Sequence, residues 1–126
     1  MMNSLKKYGV WPVMPTPFTA SGQLDRRGCE ALIDWYLANR ADGIFTVCLS
    51  SEMFDLTAGE RLELARLTVK RTGGAVPVVA CGGFGDTEAE RLRSIRETAD
   101  AGVDAVVLPL SVLFPPESVS YTHLTL

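Results

Sequence analysis

Apolar and polar positions along this chain switch repeatedly between the alternation of a strand and the three-and-four spacing of a helix. From Arg26 to Arg40 the apolar residues Cys29, Leu32, Ile33, Tyr36 and Leu37 fall at i, i+3, i+4, i+7 and i+8. That spacing predicts a helix with one buried face, with Asp25 as its N-cap. Thr57-Ala58-Gly59-Glu60 reads as a capping box ahead of Leu62, Ala65 and Val69, and Gly73-Gly74 ends the helix it starts. Thr87 and Glu90 repeat the device ahead of Leu92, Ile95 and Ala99, which are expected to face inward, with Gly102 as the stop. Between these helices stand three short, β-branched runs: Gly43 to Val47, Val76 to Ala80 and Asp104 to Leu108. The Val76 run is continuously apolar, as a strand covered on both faces should be. Before them comes an extended segment, Gly9 to Pro15, whose prolines predict irregular or one-sided pairing, followed by a turn at Ser21-Gly22.

Strand and helix recurring every 30 residues or so predict right-handed βαβ units and a parallel sheet. Two α/β architectures satisfy the pattern. One is a small doubly wound sheet; the other is half of an eight-stranded barrel of about 250 residues.

Composition narrows the function classes. Of 126 residues, 47% are hydrophobic and 21% charged, which excludes a disordered, collagenous or coiled-coil chain. The longest apolar runs, such as Ala75 to Cys81, are strand-sized, so no membrane partner is expected. A net charge of −3 gives no electrostatic case for nucleic acid. Cys29, Cys48 and Cys81 include no C-x-x-C pair, and there is one histidine, so reduced thiols are expected and a zinc site is not. No apolar signal core follows Met1 to Lys7, and the expected compartment is the cytoplasm.

In either architecture chemistry belongs at the carboxyl ends of the strands, in the loops at Thr16 to Phe18, Cys48 to Phe54, Cys81 to Asp86 and Pro109 to Pro116. Ser50 and Ser51, with their backbone N–H groups, can hold a small carboxylate; the competing account is an ST-turn beside a solvated Glu52. Cys81-Gly82-Gly83-Phe84-Gly85-Asp86 matches neither G-x-G-x-x-G nor a P-loop. Its glycines are better explained by close passage past a neighbouring strand than by a phosphate. Cys48 and Cys81 lack a nearby histidine and fit small buried hydrophobes better than nucleophiles. Arg91, Arg93 and Arg96 alternate with Glu88, Glu90 and Glu97 as on a solvated helix face. Trp11 and Trp35 are expected to pack internally, and Arg40 and Arg71 to complement helix C-termini.

Several segments together resemble the dihydrodipicolinate synthase and N-acetylneuraminate lyase family of Schiff-base aldolases. Thr16-Pro17-Phe18 is similar to the T-P-F that ends its first strand, and Ser21 to Asp25 to the D-G-x-x-D turn that follows. Asp42 to Val47 followed by Ser50-Ser51-Glu52 resembles its G-V-x-G-x-x-V-x-G-T-T-G-E stretch. Leu56 to Arg61 resembles its L-s-x-x-E-R helix start, and Val76 to Gly82 and Ala99 to Pro109 its third and fourth strands. The likeness runs from about residue 9 to 116.

The resemblance implies the N-terminal half, about four βα units, of a (β/α)8 TIM barrel acting on 2-keto acids. It implies an imine between pyruvate and a lysine on the sixth strand, a proton-relay tyrosine on the fifth, and no metal or organic cofactor. By position Ser50 stands where the family's second threonine binds the pyruvate carboxylate, and Ser51 replaces a glycine. Leu49 and Cys48 replace the first threonine and leading glycine, and Leu110-Ser111 stand where tyrosines are usual, as in a divergent subgroup. Lys6, Lys7 and Lys70 do not match the imine lysine, so the chain is expected to be a fragment inactive alone, of a parent that is a homo-oligomer. Residues 1–117 are expected to form the partial barrel. Residues 118–126, polar and β-branched where the family has a helix, are expected to be foreign or truncated sequence. Two alternatives stay open: an N-acetylneuraminate or sugar-acid lyase of the same family, and a non-catalytic flavodoxin-like domain using Tyr121 to Leu126 as a fifth strand.

Overall fold

The computed structural model describes residues 9–113. A leading extended segment is followed by α1 (Arg26–Ala38), β1 (Ile44–Thr46), a single 3-10 turn (Leu49–Ser51), α2 (Ala58–Thr72), β2 (Val78–Cys81), α3 (Glu88–Asp100), β3 (Ala105–Val107) and the short α4 (Leu110–Leu113). The three strands form one parallel sheet in the order β1-β2-β3, with Phe45 beside Val79 and Val79 beside Ala105. Each crossover is a helix, as parallel neighbours require. The proline-rich leader joins the sheet through one parallel bridge, Val13 to Phe45, where Phe45 N–H donates to the Pro12 carbonyl at 3.0 Å. The tail assigned to residues 118–126, and the candidate strand Tyr121 to Leu126, lie outside the described residues.

Local signals account for the element ends. Asp25 accepts from Gly28 N–H, and both capping boxes form, Thr57 with Glu60 and Thr87 with Glu90. Gly73 at φ 59 closes α2, and Gly102 at φ 99 follows α3. Two aspartates tie strand starts together: Asp42 accepts from Val10 N–H and Asp104 from Val78 N–H, each at 2.8 Å. One face of the sheet is buried under the helices through Ile44, Thr46, Val78 and Ala80. In the same core lie Met14, Cys29, Ile33 and Leu64.

α1 buries the face its spacing predicts. α2 is turned slightly from expectation, burying Leu64, Ala65, Thr68 and Thr72 while Leu62 and Val69 sit half-buried. α3 departs further: Leu92 is 45% exposed and Ala99 is exposed, while Ser94 and Thr98 face inward. The reason is room. Gly82 passes so close to α3 that a Cβ there would lie 3.1 Å from Thr98 Oγ1, and Ser94 Oγ takes the N–H groups of Gly83 and Phe84. Only short side chains fit that approach, so Leu92 turns outward while Ile95 stays half-buried.

Two further expectations change. Trp35 is 60% exposed, edge-on to Tyr36 at a centroid distance of 5.8 Å, because it lies beyond the buried stripe of α1. Arg71 pairs across to α1, with Asp34 at 2.6 Å and Glu30 at 3.1 Å, rather than with its own helix end. That pairing holds the Asp34 carboxyl below its usual range. Arg40 does follow the C-terminus of α1, in the left-handed region at φ 62, where Ala41 N–H reaches back to the Tyr36 carbonyl. Glycine suits that position better than arginine does. Arg40→Gly is therefore expected to raise stability by about 1 kcal/mol, read as a higher urea midpoint; an unchanged or lower midpoint would reject the strain.

Candidate active-site face at the carboxyl ends of the strands

Past β1 the chain bends sharply. Val47 has φ 50 although it is β-branched and buried, and Glu52 has φ 59. For valine this is a strained conformation that surrounding structure must impose. Between these corners, residues 48–51 form the turn that carries both candidate serines.

The two serines have different surroundings. Ser50 is exposed and lines a cavity of about 280 Å³ at the carboxyl ends of the strands, with Val13, Phe45, Leu49 and Val107 among its walls. Ser51 is fully buried. Its hydroxyl donates to the Met14 carbonyl and lies 3.2 Å from Cys48 Sγ, and its own carbonyl accepts from Thr16 Oγ1 at 2.7 Å. The cavity therefore presents two exposed hydroxyls, Ser50 from the turn and Ser111 from α4, on a mostly apolar wall. Leu49 beside it is 71% exposed.

The cysteines are placed as small buried groups. Cys48 and Cys81 are each 3% exposed, and burial pushes the Cys81 thiol up to about 11. A thiol so protonated at neutral pH is a poor nucleophile. The glycine loop behaves as expected for close passage: a Cβ on Gly82 would meet Val106 at 2.7 Å, and Gly82 N–H donates to the Val107 carbonyl. With Gly83 and Phe84 N–H already on Ser94, this loop has no cradle of free donors for phosphate. Arg91 donates to the Asp86 carbonyl at 3.1 Å, while Arg93 and Arg96 stay exposed.

Two contributors were not singled out from the sequence. Thr16 is one, buried under the turn. Arg61 is the other: its guanidinium donates to the Met53 and Leu56 carbonyls, at 3.1 and 2.8 Å, and lies 3.9 Å over the Phe84 ring. It pins the segment leaving the turn. The T-P-F and L-s-x-x-E-R resemblances contain both residues, yet only geometry shows what they hold. A second hollow of about 210 Å³ lies beside Arg61 and Glu97, between α2 and α3, and Ser50 is not on its wall. Among the described residues no three His, Cys, Asp or Glu side chains converge as a metal site would need, and no helix is long and apolar enough to cross a membrane.

Comparison with known proteins gives the same frame. The family model described as the dihydrodipicolinate synthetase family matches residues 6–115. The chain is 35% identical over 102 residues to 4-hydroxy-tetrahydrodipicolinate synthase of Polynucleobacter asymbioticus, covering 80% of this chain and 33% of that protein. It is 37% identical over 101 residues to the putative 2-dehydro-3-deoxy-D-gluconate aldolase YagE of Escherichia coli, with 79% and 33% covered. Among solved structures, the 4-hydroxy-tetrahydrodipicolinate synthase of Methylacidiphilum fumariolicum superposes with a TM-score of 0.74 at 34% identity, over 82% of this chain and 34% of that one. YagE in complex with pyruvate superposes at 0.72 and 34% identity, over 79% and 33%. The chain thus spans about a third of the length of the relatives it matches. Its parallel βα units are the opening portion of their TIM barrel, not a small doubly wound sheet, which sets aside the flavodoxin-like alternative. The chain belongs to the dihydrodipicolinate synthetase family.

Proposed function

We propose that this chain supplies the carboxylate-binding loop of a pyruvate-dependent Schiff-base lyase or synthase, and that it is inactive alone. The observation carrying this is the exposed hydroxyl of Ser50 on the cavity at the strand ends, at the position where the family binds the pyruvate carboxylate. A relative that superposes on this fold is a complex with pyruvate, which supports the same ligand here. Ser50 donates to the carboxylate, and Ser51 serves the loop from beneath.

The covalent chemistry needs a lysine whose imine with pyruvate acts as an electron sink, and a proton relay beside it. Lys70, the one lysine among the described residues, lines an outer hollow with Glu30 and Arg71, away from Ser50. We assign the imine lysine and relay tyrosine to the later strands of the parent barrel, a homo-oligomeric enzyme of the cytoplasm. Residues 1–117 belong to that barrel and 118–126 do not. The likeness to YagE favours a sugar-acid substrate as the second reading.

Incubating the chain with pyruvate and borohydride is expected to leave its intact mass unchanged; a stoichiometric adduct would overturn the assignment of the lysine elsewhere. Titrating pyruvate into the labelled chain should move the Ser50 amide resonance. Ser50→Ala should weaken that response about tenfold, the value of a hydrogen bond to a charged group. An equal response in the variant would reject Ser50 as the carboxylate contact.

A further inference from the structure

We infer that Thr16 is the positioning residue of the carboxylate-binding loop, acting through Ser51; this rests on the assignment of Ser50 above. Three contacts converge on Ser51. Thr16 Oγ1 donates to its carbonyl at 2.7 Å, its hydroxyl donates to the Met14 carbonyl, and Cys48 Sγ lies 3.2 Å from that hydroxyl. Thr16, Ser51, Cys48 and Met14 are all buried, so water cannot replace any of these partners. The leader is itself fixed to the sheet, with Met14 N–H donating to the Phe45 carbonyl at 2.8 Å. The residues on either side of the exposed Ser50–Leu49 pair are thereby locked to β1 through the leader. That lock also explains how Val47 and Glu52 are kept at positive φ, since no local preference of valine would hold it there. The carboxylate contact and the residue that aims it come from different βα units, about 35 residues apart.

Thr16→Val keeps the shape and removes the donor, leaving the Ser51 carbonyl buried without a partner. Hydrogen exchange at Ser51, Glu52 and Met53, whose N–H groups close the turn onto Cys48 and Leu49, should quicken about tenfold while β2 is unaffected. The pyruvate response at Ser50 should weaken by a similar factor, and Thr16→Ser should restore both. Ser51→Ala should behave like Thr16→Val, whereas Ser50→Ala should weaken the pyruvate response with exchange unchanged. Unaltered exchange in Thr16→Val would overturn the proposal. So would faster exchange with pyruvate binding intact. A wild-type chain that gives no pyruvate response would sink the carboxylate assignment instead, and the exchange data would then decide alone whether Thr16 holds the loop.

Discussion

Truncating Leu64 to alanine should lower the unfolding free energy by about 3 kcal/mol, inside the roughly 2–5 kcal/mol seen for fully buried leucines. Leu64 is completely buried on α2 in the same cluster as Ile33, Ile44 and Met14. Removing its branched end leaves a cavity that neighbouring backbone, tied by helix and sheet bonds, can only partly close. The melting midpoint of a domain this size should fall by roughly 10 °C. Leu62 offers the control. It heads the periodic run in the sequence, yet it is half-buried, and Leu62→Ala should lose less than half as much. Equal losses at the two positions would mean that α2 is not turned as described.

Gly43→Ala should be nearly as damaging, for the opposite reason. The Trp11 ring lies within 2.6 Å of where a Cβ on Gly43 would be built. Gly43 is buried between the leader and β1, and the indole lies against it, so an added methyl must displace the ring. Overpacking of this kind destabilises by about 1–3 kcal/mol, and urea unfolding followed by tryptophan fluorescence would report both the loss and any displaced ring. A variant as stable as the parent would show that Trp11 does not pack there. Gly43→Ala combined with Trp11→Leu should recover part of the loss, since the clash is with the larger ring.

What could be read from the sequence follows from how local each determinant is. Caps and stops involve residues three or four apart, so Asp25, Thr57, Thr87, Gly73 and Gly102 were legible and the structure uses them all. The face of a helix depends on what lies opposite. α3 turns Ser94 and Thr98 inward because Gly82 and the loop after β2 come within contact distance, and nothing inside its own stretch encodes that. Long polar side chains are harder still: Arg71 reaches Asp34 across 37 positions of sequence, beyond the range of any periodic signal. At the candidate site, Ser50 and Ser51 are adjacent and chemically identical. Only the fold distinguishes the one on the cavity wall from the one sealed beneath it. The part played by Thr16 depends on a neighbour in the next βα unit, so it became visible only with the leader in place.

The strained corners at Val47 and Glu52 carry a consequence for how such a loop can change over time. The path of the turn is dictated from outside it, by the buried Thr16 and Met14, which hold Ser51, and by Arg61 gripping the exit. Leu49 and Ser50, the two exposed residues between, contribute little to that path. They form an interchangeable cassette on a fixed mount. Selection can exchange the groups that meet a substrate there while folding stays nearly untouched, so chemical novelty at this position comes without the usual toll on stability.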